Sequence, residues 1–128
     1  MSNQQMLLII LVIIIVGAAI AIGISLFQED NIEANRAAVI QDLQVLAGQA
    51  RQYYVKPYYL GGGNRTFVGV TFNNISRISQ NENGRYYIQN STQSQLTIVG
   101  VGWLISDDDS IRVSMQVTEQ TNTIQIIN

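Results

Sequence analysis

The side chains able to do chemistry in this chain are few and poorly spaced for it. Asp107, Asp108 and Asp109 form the densest acidic group, and calcium takes about six to eight oxygen ligands of this kind. Three consecutive carboxylates do not converge on one point, and no EF-hand pattern surrounds them, so a solvated turn is the better reading. Histidine and cysteine are absent. The commonest general base and metal ligand is thereby missing, and neither a disulfide framework nor a cysteine metal site exists. The pairs Tyr53-Tyr54, Tyr58-Tyr59 and Tyr86-Tyr87, with Trp103, offer stacking surfaces for a ligand or carbohydrate. At 8% aromatic content they read better as core and interface packing. Asn64, Asn74 and Asn90 each begin a glycosylation sequon, a weak signal in a chain this rich in Asn, Ser and Thr. No nucleophile motif, phosphate loop or nucleotide fingerprint occurs. The expectation is a protein that is not an enzyme, with no catalytic, cofactor or metal residues and no small-molecule substrate.

Charge removes another class of partner. A net charge of −2 and a pI near 4.8 provide no basic footprint for nucleic acid. Only 12% of the residues are charged, while neutral polar side chains are plentiful. Such a surface suits a chain that packs against copies of itself.

The elements that position these residues begin with an apolar run over residues 6–24, and no charged side chain precedes Glu29. A bilayer takes about 20 residues of helix. About fourteen side chains of the run are Leu, Ile, Val or Met, each contributing roughly −0.3 to −0.6 kcal/mol on insertion, a sum on the order of −6 kcal/mol. A cleavable secretory signal has a basic n-region and a shorter apolar core; residues 1–5 carry no Lys or Arg, so the segment reads as retained.

From Gln28 the pattern becomes amphipathic. Ile32, Val39, Leu43, Leu46, Ala50 and Tyr53 recur at spacings of three and four, with Ile40, Ala47 and Tyr54 widening the stripe. One continuous helix is predicted over residues 4–55, roughly 75 Å long at about 1.5 Å per residue. Lys56-Pro57 ends it, because the residue before proline is pushed out of the helical region. Gly48 is an internal weakness of about 1 kcal/mol relative to alanine.

Beyond Pro57, Gly61-Gly62-Gly63-Asn64 reads as a flexible connector, and then the period switches to two. Strands are predicted over residues 66–72, 85–89, 95–105, 111–117 and 123–127. Asn83-Gly84 is a turn signal, and residues 107–110 separate the two strands around them. Residues 74–80 read either as a short helical turn or as a loop with Ile75 and Ile78 tucked inward. The predicted fold is α+β, a long hydrophobic-then-amphipathic helix packed on a small C-terminal antiparallel sheet of four or five strands. A region of about 70 residues buries only a marginal core alone, and the stripe through Val39, Leu43, Leu46 and Ala50 is its packing partner. Three segments follow: a hydrophobic stem at 1–27, the amphipathic continuation at 28–56, and a β head at 57–128.

Within the stem, Gly17, Ala21 and Ser25 are spaced by four, and Ala19 and Gly23 form a second such pair. Small residues at this spacing let helix backbones approach closely in apolar surroundings. They read either as ordinary membrane-helix composition or as a packing face for self-assembly. Arg36 lies inside the amphipathic stripe. It pairs along the helix with Glu33, or with Glu29 or Asp30 of a neighbouring copy.

The segment Met1-Ser2-Asn3-Gln4-Gln5-Met6-Leu7-Leu8-Ile9-Ile10-Leu11-Val12-Ile13-Ile14-Ile15-Val16-Gly17-Ala18-Ala19-Ile20-Ala21-Ile22 resembles the N-terminal stem of bacterial type IV pilins and related pilin-like filament proteins. The likeness continues through Asn35-Arg36-Ala37 to Tyr54, and into the head by architecture only. The resemblance implies hydrophobic stems bundled in a filament core and β heads forming the outer wall. It implies an extracellular homopolymer at the cell surface, whose subunits sit in the inner membrane before assembly. Four features depart from the family. No basic leader ending in glycine precedes the apolar run, so either Met1 is the mature first residue or the chain is an unprocessed variant. Gln5 stands where the family usually has a glutamate that neutralises a neighbouring N-terminal amine; a glutamine can hydrogen-bond that amine, or adjacent stems, but forms no ion pair. The family's proline kink and its paired head cysteines are also missing. The leading expectation is a structural filament subunit. The alternatives are a single-pass membrane-anchored protein displaying a small β interaction domain, and a minor pilin-like component of a secretion or DNA-uptake apparatus.

Overall fold

In a computed structural model of the chain, residues 2–106 and 109–128 are described. Asp107 and Asp108 of the acidic turn lie outside them. The single unbroken helix expected from the hydrophobic pattern is present as α1, Asn3–Val55. With no interior proline to remove a hydrogen bond, neither Gly17 nor Gly23 interrupts it.

The chain divides into two compact units, Met1–Glu33 and Ala34–Asn128. The first is the apolar part of α1 with nothing packed on it. Its large side chains from Met6 to Phe27 are between 48% and 67% exposed, so no protein face covers any side of this segment.

The second unit joins the last turns of α1 to a 3₁₀ turn, Tyr58–Leu60, a short helix α2, Phe72–Ile75, and four strands. These are β1 (Gly84–Ser91), β2 (Gln95–Ser106), β3 (Asp109–Thr118) and β4 (Asn122–Ile126), an antiparallel meander in the order β1-β2-β3-β4. Alternation along β3 buries Ile111, Val113, Met115 and Val117. The register sets Ile98 opposite Met115 and Leu96 opposite Val117, so β2 extends the same apolar face. Against it α1 contributes Val39, Leu43, Leu46, Ala47, Ala50 and Tyr54, the spacing of one helical face. The stripe is thus rotated slightly from its expected centre, because Tyr54 is buried while Tyr53 is only half-buried. Helix and sheet approach closely at Gly100 and Gly102, where an added Cβ would lie 2.6 Å from Val39 Cγ1 and 2.3 Å from Asn35 Oδ1.

Two expectations are corrected. Residues 66–72 do not form a strand. Asn64, Arg65 and Gly69 have positive φ, at 52°, 64° and 76°, which breaks any extended ladder. The segment instead folds over the end of α1, where Phe67 is fully buried with its ring centroid 4.7 Å from that of Tyr54. Nor is the glycine run a flexible connector. Gly63, Asn64 and Arg65 donate their backbone N–H groups to Tyr53 O, Lys56 O and Tyr54 O at 2.8, 3.0 and 2.6 Å, satisfying carbonyls that a helix end leaves open. An added Cβ on Gly62 would lie 2.3 Å from Lys56 O, and one on Gly63 2.3 Å from Thr66 O. These glycines are there for close approach. In the ambiguous stretch before β1, Ile75 is buried at the end of α2, but Ile78 is 66% exposed.

Candidate functional site

Of the residues singled out from the sequence, those of the stem remain on one uncovered helix. Gly17, Ala21, Gly23 and Ser25 are all exposed, and nothing lies within 4 Å of a Cβ built on Gly17 or Gly23. Gln5 has a local role. Its backbone N–H donates to Ser2 Oγ at 3.3 Å, and its Oε1 accepts from Ser2 N at 3.4 Å. This reciprocal pair is a capping box, which satisfies two donors at the helix start. The Ser-x-x-Gln signal was present in the sequence.

Arg36, Asn64, Asn74 and Asn90 all belong to the second unit and are not brought together. Arg36 Nε donates to the main-chain oxygen of Asn128 at 3.3 Å, tying α1 to the residues just past β4. The three sequon asparagines are exposed. Asn74 is committed to its own helix, its Oδ1 accepting from Thr71 N at 2.9 Å and from Thr71 Oγ1 at 2.7 Å.

The densest polar constellation was missed by the sequence reading. Asp42 projects from α1 toward the loop before β1, and its Oδ2 accepts from Asn81 Nδ2 and Asn83 Nδ2, each at 2.9 Å, and from the Tyr86 hydroxyl. Asn35, seven residues earlier and so on the same helix face, donates through Nδ2 to Asn83 O at 2.8 Å. Trp103 Nε1 donates to Asn81 O at 2.9 Å. Partial burial pushes the Asp42 carboxyl up, but the hydrogen bonds from Tyr86, Asn83 and Asn81 outweigh it and hold the group below its ordinary value. Burial, together with the bond to Asp42 and its negative charge, pushes the Tyr86 phenol well above its own. A carboxylate kept ionised and a phenol kept protonated make a poor acid and a poor base at neutral pH. The arrangement fastens the 76–84 loop to the helix.

The concave features nearby do not add chemistry. The groove beside Asp42, Leu46, Gln49 and Tyr86 holds about 210 Å³, below the roughly 300–1,000 Å³ of small-molecule sites. A larger one of about 410 Å³ lies between the hairpin tips at Gln95 and Thr118. Its carboxylate, Glu119, is paired with Arg65 at 2.7 Å. Among the described residues no group of three or more carboxylates could hold a metal ion.

The feature with the largest unmet physical demand is therefore the stem, a helix long and apolar enough to cross a membrane, near the N-terminus and wholly uncovered. It precedes a small β domain. Compared with protein-family models, curated proteins and solved structures, the chain has no match in any of the three.

Proposed function

We propose that this chain is a non-catalytic structural subunit of an extracellular, pilus-like filament, inserted in the membrane before assembly and held in the filament by bundling of its N-terminal helices. The observation that carries this reading is the continuity of α1 from its uncovered apolar segment into the core of the β unit. A simple anchor ends near the membrane surface and passes into a linker. Here the helix that emerges from the apolar run is itself the packing partner of the sheet.

Outside a bilayer the stems are sheltered from water only by one another. Each buried Leu, Ile, Val or Met contributes roughly 1.5 kcal/mol or more, so about fourteen of them per copy outweigh any rim of Asn and Gln hydrogen bonds. The four-residue spacing of Gly17, Ala21 and Ser25 gives those stems a face on which to approach closely.

The test is electron microscopy of material sheared from cells that express the chain, with mass spectrometry of the fibres. Thin filaments built of this chain, absent when its gene is deleted, are the expected result. Recovery only in the membrane fraction, as a detergent-soluble monomer with no filaments, would favour the membrane-anchored β domain instead.

A further inference from the structure

Asn83-Gly84 marks a turn, but an asparagine followed by glycine is also the dipeptide most prone to lose its side-chain amide spontaneously. It occurs once in the chain. Glycine leaves its backbone nitrogen unhindered, because it has no Cβ. In the reaction the Gly84 nitrogen attacks Asn83 Cγ. The N–Cγ bond forms, the Cγ–Nδ2 bond breaks, and ammonia leaves carrying the Gly84 amide proton. Water then opens the cyclic imide at either carbonyl. The product is aspartate, or isoaspartate with the main chain rerouted through the side-chain carboxyl. Nothing is oxidised or reduced, and water is the only co-reactant.

The fold holds every group that this reaction must move. Asn83 Nδ2, the leaving nitrogen, donates to Asp42 Oδ2 at 2.9 Å. Gly84 N, the nucleophile, donates to Asn81 Oδ1 at 3.2 Å, and Asn83 N donates to the same oxygen at 2.9 Å. Asn83 O accepts from Asn35 Nδ2 at 2.8 Å. Gly84 itself is buried at the start of β1, paired with Gly102. Bringing Gly84 N onto Cγ breaks the bonds to Asp42 and Asn81 together. The reaction therefore proceeds from a locally opened loop, and its rate follows the population of that open state.

We propose that Asn83-Gly84 is a spontaneous modification site held in check by the Asp42 fastener, and that its deamidation releases the loop irreversibly. After the reaction a carboxylate stands where an amide donor stood, facing Asp42. Two ionised carboxylates offer each other acceptors only, and their like charges repel. In the isoaspartate product the main chain also gains a carbon just ahead of Gly84, which shifts that residue from its place opposite Gly102. Neither product restores the bond from residue 83 to Asp42. The cluster is thus a one-way fastener, stable while shut and lost once an opening outlasts ring closure. The reaction needs no second copy and no ligand, so it is independent of assembly.

Arg77 and Arg85 bracket the site, so trypsin releases residues 78–85 as one peptide. Mass spectrometry of that peptide follows Asn83 over time in the full chain, kept folded in mild detergent at neutral pH. Digestion in ¹⁸O-water marks whatever forms during the digest. The reference is the synthetic peptide of residues 78–85, which has no fold to protect it. The native chain should lose the amide at least about tenfold more slowly than the peptide. Asp42→Ala, which removes the acceptor of Nδ2, should raise the rate on the order of tenfold over the native chain. Asn81→Ala frees the Gly84 N–H from an exposed loop position without touching the core, and should raise it as well. A native chain as fast as the peptide would overturn the proposal, and so would Asn81→Ala reacting no faster than the native chain. The release is tested separately with Asn83→Asp, which makes the product directly. The Trp103 indole donates to Asn81 O, so its emission should shift in this variant at neutral pH; native emission would mean that the loop refastens and would overturn the one-way step.

Discussion

Replacing Asp42 with alanine tests whether the polar cluster at the helix–sheet junction is the fastener described above. The substitution strips three hydrogen bonds from Oδ2. The Asn81 amide regains water, being exposed, and that of Asn83 does so in part. Tyr86 is only 5% exposed, and its hydroxyl loses its acceptor. An orphaned buried polar group costs about 1–3 kcal/mol, and the partly exposed amides add a smaller amount, so the expected loss is about 2–3 kcal/mol. For a domain of this size, where 1 kcal/mol moves the midpoint by about 4–8 °C, Tm falls by on the order of 10–20 °C. The assay is thermal unfolding of the full chain in mild detergent, followed by the fluorescence of Trp103. That residue is the single tryptophan, and its indole donates to the same loop, so its emission shifts before global melting when the loop loosens. Removing the stranded partner as well, in Asp42→Ala/Tyr86→Phe, should recover much of the loss. The folded carboxyl lies below its unfolded value of 3.8, so its contribution is complete above that pH and disappears as the pH falls through the folded value. The native chain should show this acid dependence, and Asp42→Ala should lack it. A variant that melts within about 2 °C of the native chain with unchanged Trp103 emission would refute the reasoning, since even a loss of 0.5 kcal/mol moves Tm that far.

Four further substitutions test the packing of the β unit and the face of the stem. Leu43 is fully buried between α1 and the sheet, so Leu43→Asp places an unpaired charge in the core and should cost several kcal/mol; unchanged denaturant midpoints would mean that the sheet packs elsewhere. Gly48 and Gly62 should respond to alanine in opposite directions. Nothing lies within 4 Å of a Cβ at Gly48, while one at Gly62 meets Lys56 O at 2.3 Å. Gly48→Ala should stabilise by up to about 1 kcal/mol, and Gly62→Ala should destabilise by about 1–3 kcal/mol through backbone displacement, both read from urea unfolding. Ala21→Leu keeps the stem apolar but blocks close approach at Gly17, Ala21 and Ser25. Normal membrane insertion with few or malformed filaments is expected, and normal filaments would make the small residues incidental.

Local periodicity carried most of the architecture. The apolar run that becomes a stripe after Gln28 specified α1 because helical order depends on side chains three and four apart, and Pro57 stopped it by steric exclusion at Lys56. Alternation specified four strands within a few residues of their observed ends, because β3 in particular buries every second side chain. The glycines and the polar fastener were not legible in this way. A run such as Gly61-Gly62-Gly63 looks the same whether it is loose or wedged against a helix end, and only the positions of Lys56 O and Thr66 O distinguish the two. Phe67 and Val70 imitate a strand by their composition. Their backbone is bent by three positive φ angles, and Phe67 is drawn onto Tyr54 by burial. Asp42 meets its partners some 40 residues along the chain, and no spacing rule announces a contact that the packing of helix on sheet creates. The sequence by itself determined the helix, the strands and the uncovered apolar stem, all set by neighbours in the chain. The tertiary structure alone decided which polar groups meet, which glycines are filled spaces, and which tyrosines are left facing outward, because those depend on atoms that folding brings together.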